Sequence, residues 1–194
     1  MSNKNYKRII KAVYNNETIR VYQAYNKEIA EGAVKNQRFV HPWLTTRTTW
    51  IKPSLCWMMY RAGYGYKDKN QERILAIDIK IEAFEWILDT YYSDSKQERD
   101  QNDLKAHPKN SLVIQWDPER SIKIGKLENG ELRSIQIGIK PFLTQNFNNE
   151  WITEINDITD VVHQIKREID NGDIEKAISL LPIEKVYTPK NIKF

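Results

Sequence analysis

The chain has 194 residues, 40% of them hydrophobic and 29% charged, with 7 Gly and 7 Pro, a composition and length that bury a core without help from disulfides or a structural metal. A lone Cys56 forms no internal disulfide, and the scattered His41, His107 and His163 lack metal-ligand spacing, so no metal is expected. The basic, polar start Met1-Ser2-Asn3-Lys4-Asn5-Tyr6-Lys7-Arg8 leads into no apolar run, which argues against a signal peptide or membrane span and for the cytoplasm.

The net charge of +4 is unevenly spread. Residues 1–75 hold 14 Lys/Arg against 5 Asp/Glu, or +9, and residues 76–194 hold 16 against 21, or −5. A basic front half suits nucleic-acid phosphate, the phosphates of a nucleotide, or the acidic back half of the same chain. No repeat or Gly/Ser/Pro-rich linker divides the sequence, so a single domain over 1–194 is expected.

In chain order, Ile19 to Tyr25 is a β-branched and aromatic run that predicts a strand. Asn26 caps a following helix through Gln37, with Ile29, Ala30, Ala33 and Val34 at helical spacing. Arg47 to Lys52 reads as extended, with Pro53 at the first position of a helix through Arg61 that Gly63 and Gly65 stop. Arg73 to Ile79 predicts a buried strand. Ile81, Phe84, Ile87, Leu88 and Tyr91 then mark an amphipathic helix, and Ser93 to Lys109 a long polar loop.

Three strands follow at Leu112–Trp116, Ser121–Leu127 and Leu132–Ile139, separated by Asp117-Pro118 and by the turn dipeptide Asn129-Gly130. Ile152, Ile155, Ile158, Val162, Ile165 and Ile169 read as one helical stripe ended by Asn171-Gly172, before a short helix from Asp173 to Leu181. The order predicts the α+β class, a mixed and partly antiparallel sheet flanked by helices.

Phosphate-loop, dinucleotide, nucleophile-elbow and zinc-protease signatures are absent; Gly63-Tyr64-Gly65 lacks the third glycine of a dinucleotide fingerprint. Cys56, between Leu55 and Trp57 in an apolar helix, reads as an inert core thiol. The densest segment runs from Arg47 to Arg61 and interleaves Arg47, Lys52 and Arg61 with Trp50, Trp57 and Tyr60. Aromatic faces stack on rings while Arg and Lys bind the attached phosphates, whereas Trp57 and Met58 also fit a helix core. Alternation along the extended stretch groups Arg47, Trp50 and Lys52. In Trp116-Asp117-Pro118-Glu119-Arg120 a turn accounts for Asp117 and Pro118 but leaves Glu119 and Arg120 free to serve as a base or ribose-hydroxyl acceptor with its cation. In Arg133-Ser134-Ile135-Gln136-Ile137-Gly138 an inward Gln136 needs partners or a ligand.

These segments, with Val21-Tyr22-Gln23-Ala24-Tyr25 and Gln37-Arg38-Phe39, resemble the bacterial family called domain of unknown function 4291. Its pattern runs R-x-T-W-I-K-P-S-x-x-W-M-x-Y-R, then W-D-P-E-R and R-S-I-Q-I-G. The resemblance covers nearly the whole chain and implies that these residues form one constellation; the family has no assigned activity. A more distant likeness, in layout, is to ADP-ribosyltransferases, which open on a Y-H-x-[TS] or Y-R-x strand and clamp NAD with a split mixed sheet. It implies NAD as cofactor, with Gln23 where those enzymes carry His or Arg and Glu119 as the acid by location.

Two functions follow as expectations. The first is a nucleotide-using transferase with NAD as donor and an anionic acceptor, nucleic acid among the candidates. Glu119 and Gln23 would carry the chemistry, Glu119 by polarising a hydroxyl and Gln23, with Tyr25, by holding a ribose or amide edge. Arg47 and Lys52 would bind phosphates and Trp50 would stack. Tyr22, Ser54, Arg61, Asp117, Arg120, Arg133 and Gln136 complete the ligand set. The second is a non-catalytic RNA- or DNA-binding module whose Trp43 and Trp50 stack on exposed bases.

Overall fold

The computed structural model describes residues 6–96, 108 and 110–194. Its order is β1 (Lys7–Arg8), β2 (Ile10–Ala12), β3 (Thr18–Tyr25), α1 (Lys27–Asn36), β4 (Thr49–Ile51), α2 (Leu55–Ala62), β5 (Arg73–Lys80) and α3 (Ile81–Lys96) in the first half. The second half holds β6 (Leu112–Pro118), β7 (Leu132–Ile139), α4 (Pro141–Asn146), β8 (Ile152–Asp157), α5 (Thr159–Asp170), α6 (Ile174–Ser179) and β9 (Lys185–Tyr187). This is an α+β architecture with a mixed sheet. No described helix is long and apolar enough to cross a membrane.

Two sheets carry the fold. In one, β7 pairs antiparallel with β6 along its length, while its other edge is shared by β1, parallel, and β4, antiparallel. In the other, β3, β5 and β8 pair antiparallel in that order. Among the described residues one backbone bond joins them: the Tyr22 amide donates to the Lys52 carbonyl at 2.7 Å, so the chain leaving β4 touches β3 at a corner. A two-stranded ribbon of β2 and β9 ties the ends of the chain together.

Period-two alternation buries the β3/β5 sheet on both faces. Ile19, Val21, Leu75, Ile77 and Ile79 face one core with Ile135, Ile137, Ile139, Phe84 and Leu88. Tyr22, Ile74 and Ala76 face a second core with Leu55, Met58, Met59, Val162 and Ile165. Gln23, on the Val21 face, comes where the first core ends.

Caps fall where the sequence places them for α1. Asn26 accepts from the Ile29 amide and Gln37 closes the helix in the left-handed region. Four expectations are corrected. Pro53 lies before α2 rather than inside it, because Ser54 takes the cap and accepts from the Trp57 amide. Ser121–Leu127 is no strand: the β6–β7 ladder runs from Leu112 opposite Ile139 to Pro118 opposite Arg133, leaving residues 119–131 as its connection, folded on turns such as the Ile124 amide to the Ser121 carbonyl. The helix expected to end near Tyr91 runs to Lys96, so the polar loop does not begin at Ser93; residues 97–107 and 109 lie outside the described residues.

Ile152 and Ile155 belong to β8 and not to the helix, which starts at Thr159. Ile155 pairs with Ile77 but Ile152 pairs with Ile79, across a register shift. That bulge adds one residue, so two isoleucines three apart point to one face of a strand. The same spacing imitates a helical stripe.

Candidate functional site: a cationic cleft at the sheet junction

Where the two sheets meet, a cleft of about 740 Å³ opens, lined by the end of β3, the bend before β4, β4 itself, one face of α2, the turn at 68–71, and β6 with β7. It lies within the size range of small-molecule sites. Gln23, Tyr25, Arg47, Trp50, Lys52, Arg61 and Gln136, seven of the residues singled out from sequence, line it together.

Each is placed by its element. Gln23 and Tyr25 alternate onto one side of β3. The Gln23 amide is 3% exposed and donates to Thr49 Oγ1 at 2.6 Å and to the Trp50 carbonyl at 2.9 Å. Its own carbonyl oxygen is sealed from solvent and has no partner among the described residues, so its acceptor capacity is unused. Tyr25 Oη accepts from Trp43 Nε1 at 2.9 Å and lies 3.3 Å from Thr49 Oγ1, and burial raises its pKa. Trp50 pairs with Gly138 on β7 and lays its indole across it: a Cβ at 138 would meet the ring at 3.0 Å. Any larger residue there would need the ring to give by a few tenths of an ångström.

Arg47 does not share a strand face with Trp50 and Lys52 as the sequence reading expects: it lies at odd spacing from both, exposed in the bend before β4, while Arg61 is exposed one turn after Met58 on α2. Among the described residues neither is paired with a carboxylate. Lys52 is 5% exposed, and its Nζ reaches only the Trp50 carbonyl, at 3.5 Å, with the Trp57 ring centroid 5.4 Å away. Desolvation, helped by the Arg61 charge and opposed by Asp117, lowers its pKa to about 7. Asp68 is the acid in the lining, and its carboxylate is turned to the amide and side chain of Asn70. The cleft is therefore cationic, with an aromatic wall and a row of amides in Gln23, Gln115 and Gln136.

The remaining residues lie elsewhere. Tyr22, next along β3, points into the opposite core, where burial raises its pKa and its hydroxyl has no partner. Asp117 sits behind the wall and accepts from Gln136 Nε2 at 2.7 Å, which supplies the partner that Gln136 requires, along with Gln115 at 2.8 Å. Glu119 is 1% exposed. One of its oxygens accepts from Ser54 Oγ at 2.9 Å and the Arg120 amide at 2.8 Å, and the other has no partner among the described residues. Ser54 is thus occupied between Glu119 and the α2 cap. Glu184 accepts from the Leu55 amide at 2.7 Å, so the amides at the α2 N-terminus are already met by the protein's own side chains. Arg120 stacks on Tyr60, 3.5 Å from its centroid. Arg133 stacks on Tyr6 at 3.9 Å beside a second groove containing Arg8 and Trp116.

Cys56 has its pKa raised to about 12 by burial and by Glu184 and Glu119, the state of an unreactive thiol. Trp43, expected to stack on bases in the nucleic-acid reading, lines the cleft but is 8% exposed and stacked on Phe39 at 4.9 Å. Sequence reasoning missed Gln115, although it is the register partner of Gln136 in the β6–β7 hairpin and aligning the two strands would have found it. The turn at 68–71 carries no periodic signal.

A family model described as domain of unknown function (DUF4291) matches residues 9–187. The chain belongs to this family. Every DUF4291 residue of the cleft lies inside the matched span, as do the buried Ser54–Glu119 pair and Gly138. No curated protein and no solved structure matches the chain.

Proposed function

We propose that the cleft binds a nucleotide and that the chain is a nucleotide-using transferase, with NAD the donor to test first and an anionic acceptor. One observation carries the reading. Arg47 and Arg61, without carboxylate partners among the described residues, line one cleft with Trp50 and with Gln23, whose buried carbonyl oxygen has no partner there. Phosphate, planar base and ribose hydroxyl call for this set of cation, aromatic face and acceptor. In this reading Arg47 and Arg61 hold phosphates, Trp50 stacks on a ring, and Gln23 and Tyr25 take the ribose or carboxamide edge. Glu119 acts through Ser54, which caps α2 and so sets where Arg61 stands; it is a positioning residue.

Thermal unfolding with NAD, and with AMP as the minimal nucleotide, tests this. A ligand at a hundredfold excess over its dissociation constant stabilises by about 2.7 kcal/mol, a rise of roughly 5–10 °C for a chain of this size. The shift is expected to disappear in Arg47→Ala and in Gln23→Ala. No shift with either nucleotide at millimolar concentration refutes the reading. Short RNA in the same assay separates the nucleic-acid alternative, whose binding would fall steeply with salt.

A further inference from the structure

Lys52 is a buried amine without a counter-ion. Its Nζ has one long hydrogen bond among the described residues, the 3.5 Å approach to the Trp50 carbonyl, whose oxygen Gln23 Nε2 already reaches at 2.9 Å, and lies 5.4 Å from the centroid of the Trp57 ring. No carboxylate lies within ion-pair distance of it among the described residues. The charged groups that act on it are Arg61, in the same cleft lining, which disfavours a proton on it, and Asp117, which favours one. Asp117 is tied to Gln136. A charge desolvated to this degree and unpaired is expelled by losing its proton. What remains is a lone pair on nitrogen, at the wall of a cleft whose mouth carries two guanidinium groups.

We propose that Lys52 is the nucleophile of this cleft and that it condenses with the carbonyl carbon of a phosphorylated aldehyde held by Arg47 and Arg61. The Nζ lone pair attacks the carbonyl carbon and the C=O π bond breaks toward oxygen. Transfer of a proton from nitrogen to oxygen gives the carbinolamine. Loss of that oxygen as water, with the second nitrogen proton, leaves the C=N bond, so no oxidant or other reactant is consumed. The phosphate half of the ligand rests on the anion-binding reading of the cleft given above; the reactivity of the amine does not. Within the nucleotide reading, the matching aldehyde is the ring-opened anomeric carbon of a ribose phosphate such as the terminal ribose of ADP-ribose.

The test uses the full chain with pyridoxal 5′-phosphate as a phosphorylated aldehyde, trapped with borohydride and mapped by peptide mass spectrometry. The expected result is one dominant adduct, on Lys52, absent in Lys52→Met and Lys52→Arg, with a labelling rate that rises about tenfold from pH 6 to pH 8 as the amine loses its proton. Arg47→Ala and Arg61→Ala should each raise the half-saturating concentration about tenfold without moving the adduct from Lys52. Adducts spread over exposed lysines with Lys52 unmodified, or equal labelling of wild type and Lys52→Met, overturn the proposal. ADP-ribose is then added as competitor. Protection of Lys52 supports both readings, while a Lys52 adduct that ADP-ribose does not suppress refutes the nucleotide reading and leaves the amine established.

Discussion

Replacing Lys52 by Met should make the protein more stable at neutral pH, and the size of the gain should depend on pH in a defined direction. The folded state lowers the Lys52 pKa from its ordinary 10.5 to about 7, a difference of about 3.5, and each unit corresponds to about 1.4 kcal/mol. Between pH 7 and 10.5 the unfolded chain holds this proton and the folded chain does not, so this residue makes stability rise with pH across that window. Below pH 7 both states are protonated and the full destabilisation of about 5 kcal/mol is present; above 10.5 it vanishes. Near pH 7, with the site half protonated, about 4 kcal/mol remains. Met fills the stem's volume and loses the contact with the Trp57 ring, worth about 1 kcal/mol. The net gain at pH 7 is about 3 kcal/mol, or a midpoint rise of roughly 6–12 °C. Denaturant unfolding of both proteins at pH 6, 7.5 and 9 measures it, and taking the difference cancels groups common to both. A gain that stays constant over this range, or a Lys52→Met protein less stable at pH 7, refutes the argument that the amine is desolvated and unpaired.

Three further outcomes follow from other contacts. Gly138→Ala places a Cβ 3.0 Å from the Trp50 ring; it should destabilise by about 1–3 kcal/mol, alter the near-ultraviolet dichroism of the indole, and abolish any nucleotide-induced thermal shift. Asn148 accepts from the Phe39 amide at 2.7 Å and donates to the Phe39 carbonyl at 2.8 Å, so Asn148→Ala strands two buried backbone groups and should lower denaturant stability by about 2–4 kcal/mol. Glu184 has its pKa raised to about 8 by desolvation and by the Glu119 charge. Between its ordinary 4.5 and 8 the folded chain holds the proton and the unfolded chain has lost it, so this residue makes wild-type stability fall as pH rises through that range. Glu184→Gln should remove that slope, seen as a stability advantage over wild type that grows from pH 5 to pH 8; parallel profiles would refute it.

Local chemistry in the sequence specified most of the elements: the Asn26 cap and left-handed Gln37 around α1, the Gly63 stop of α2 at φ 57, and the alternation that makes β3 and β5 strands. Those features act within a few residues, so composition and spacing reveal them. The grouping of Trp50 and Lys52 was legible for the same reason, since they alternate onto one side of a short strand. The rest depended on partners far away in the chain. Whether Ile152 and Ile155 mark a helix or a bulged strand is decided by their register against Ile77 and Ile79. Whether Glu119 faces a ligand or Ser54 is decided by the docking of the β6–β7 connection on the start of α2, and Trp43 is drawn into the core by Phe39 and Tyr25. Lys52 shows the division most clearly. The sequence marks it as a cation beside tryptophans, but its charge state is a property of the volume around it. Only the packing of β3, β4 and α2 removes the water that would keep it protonated.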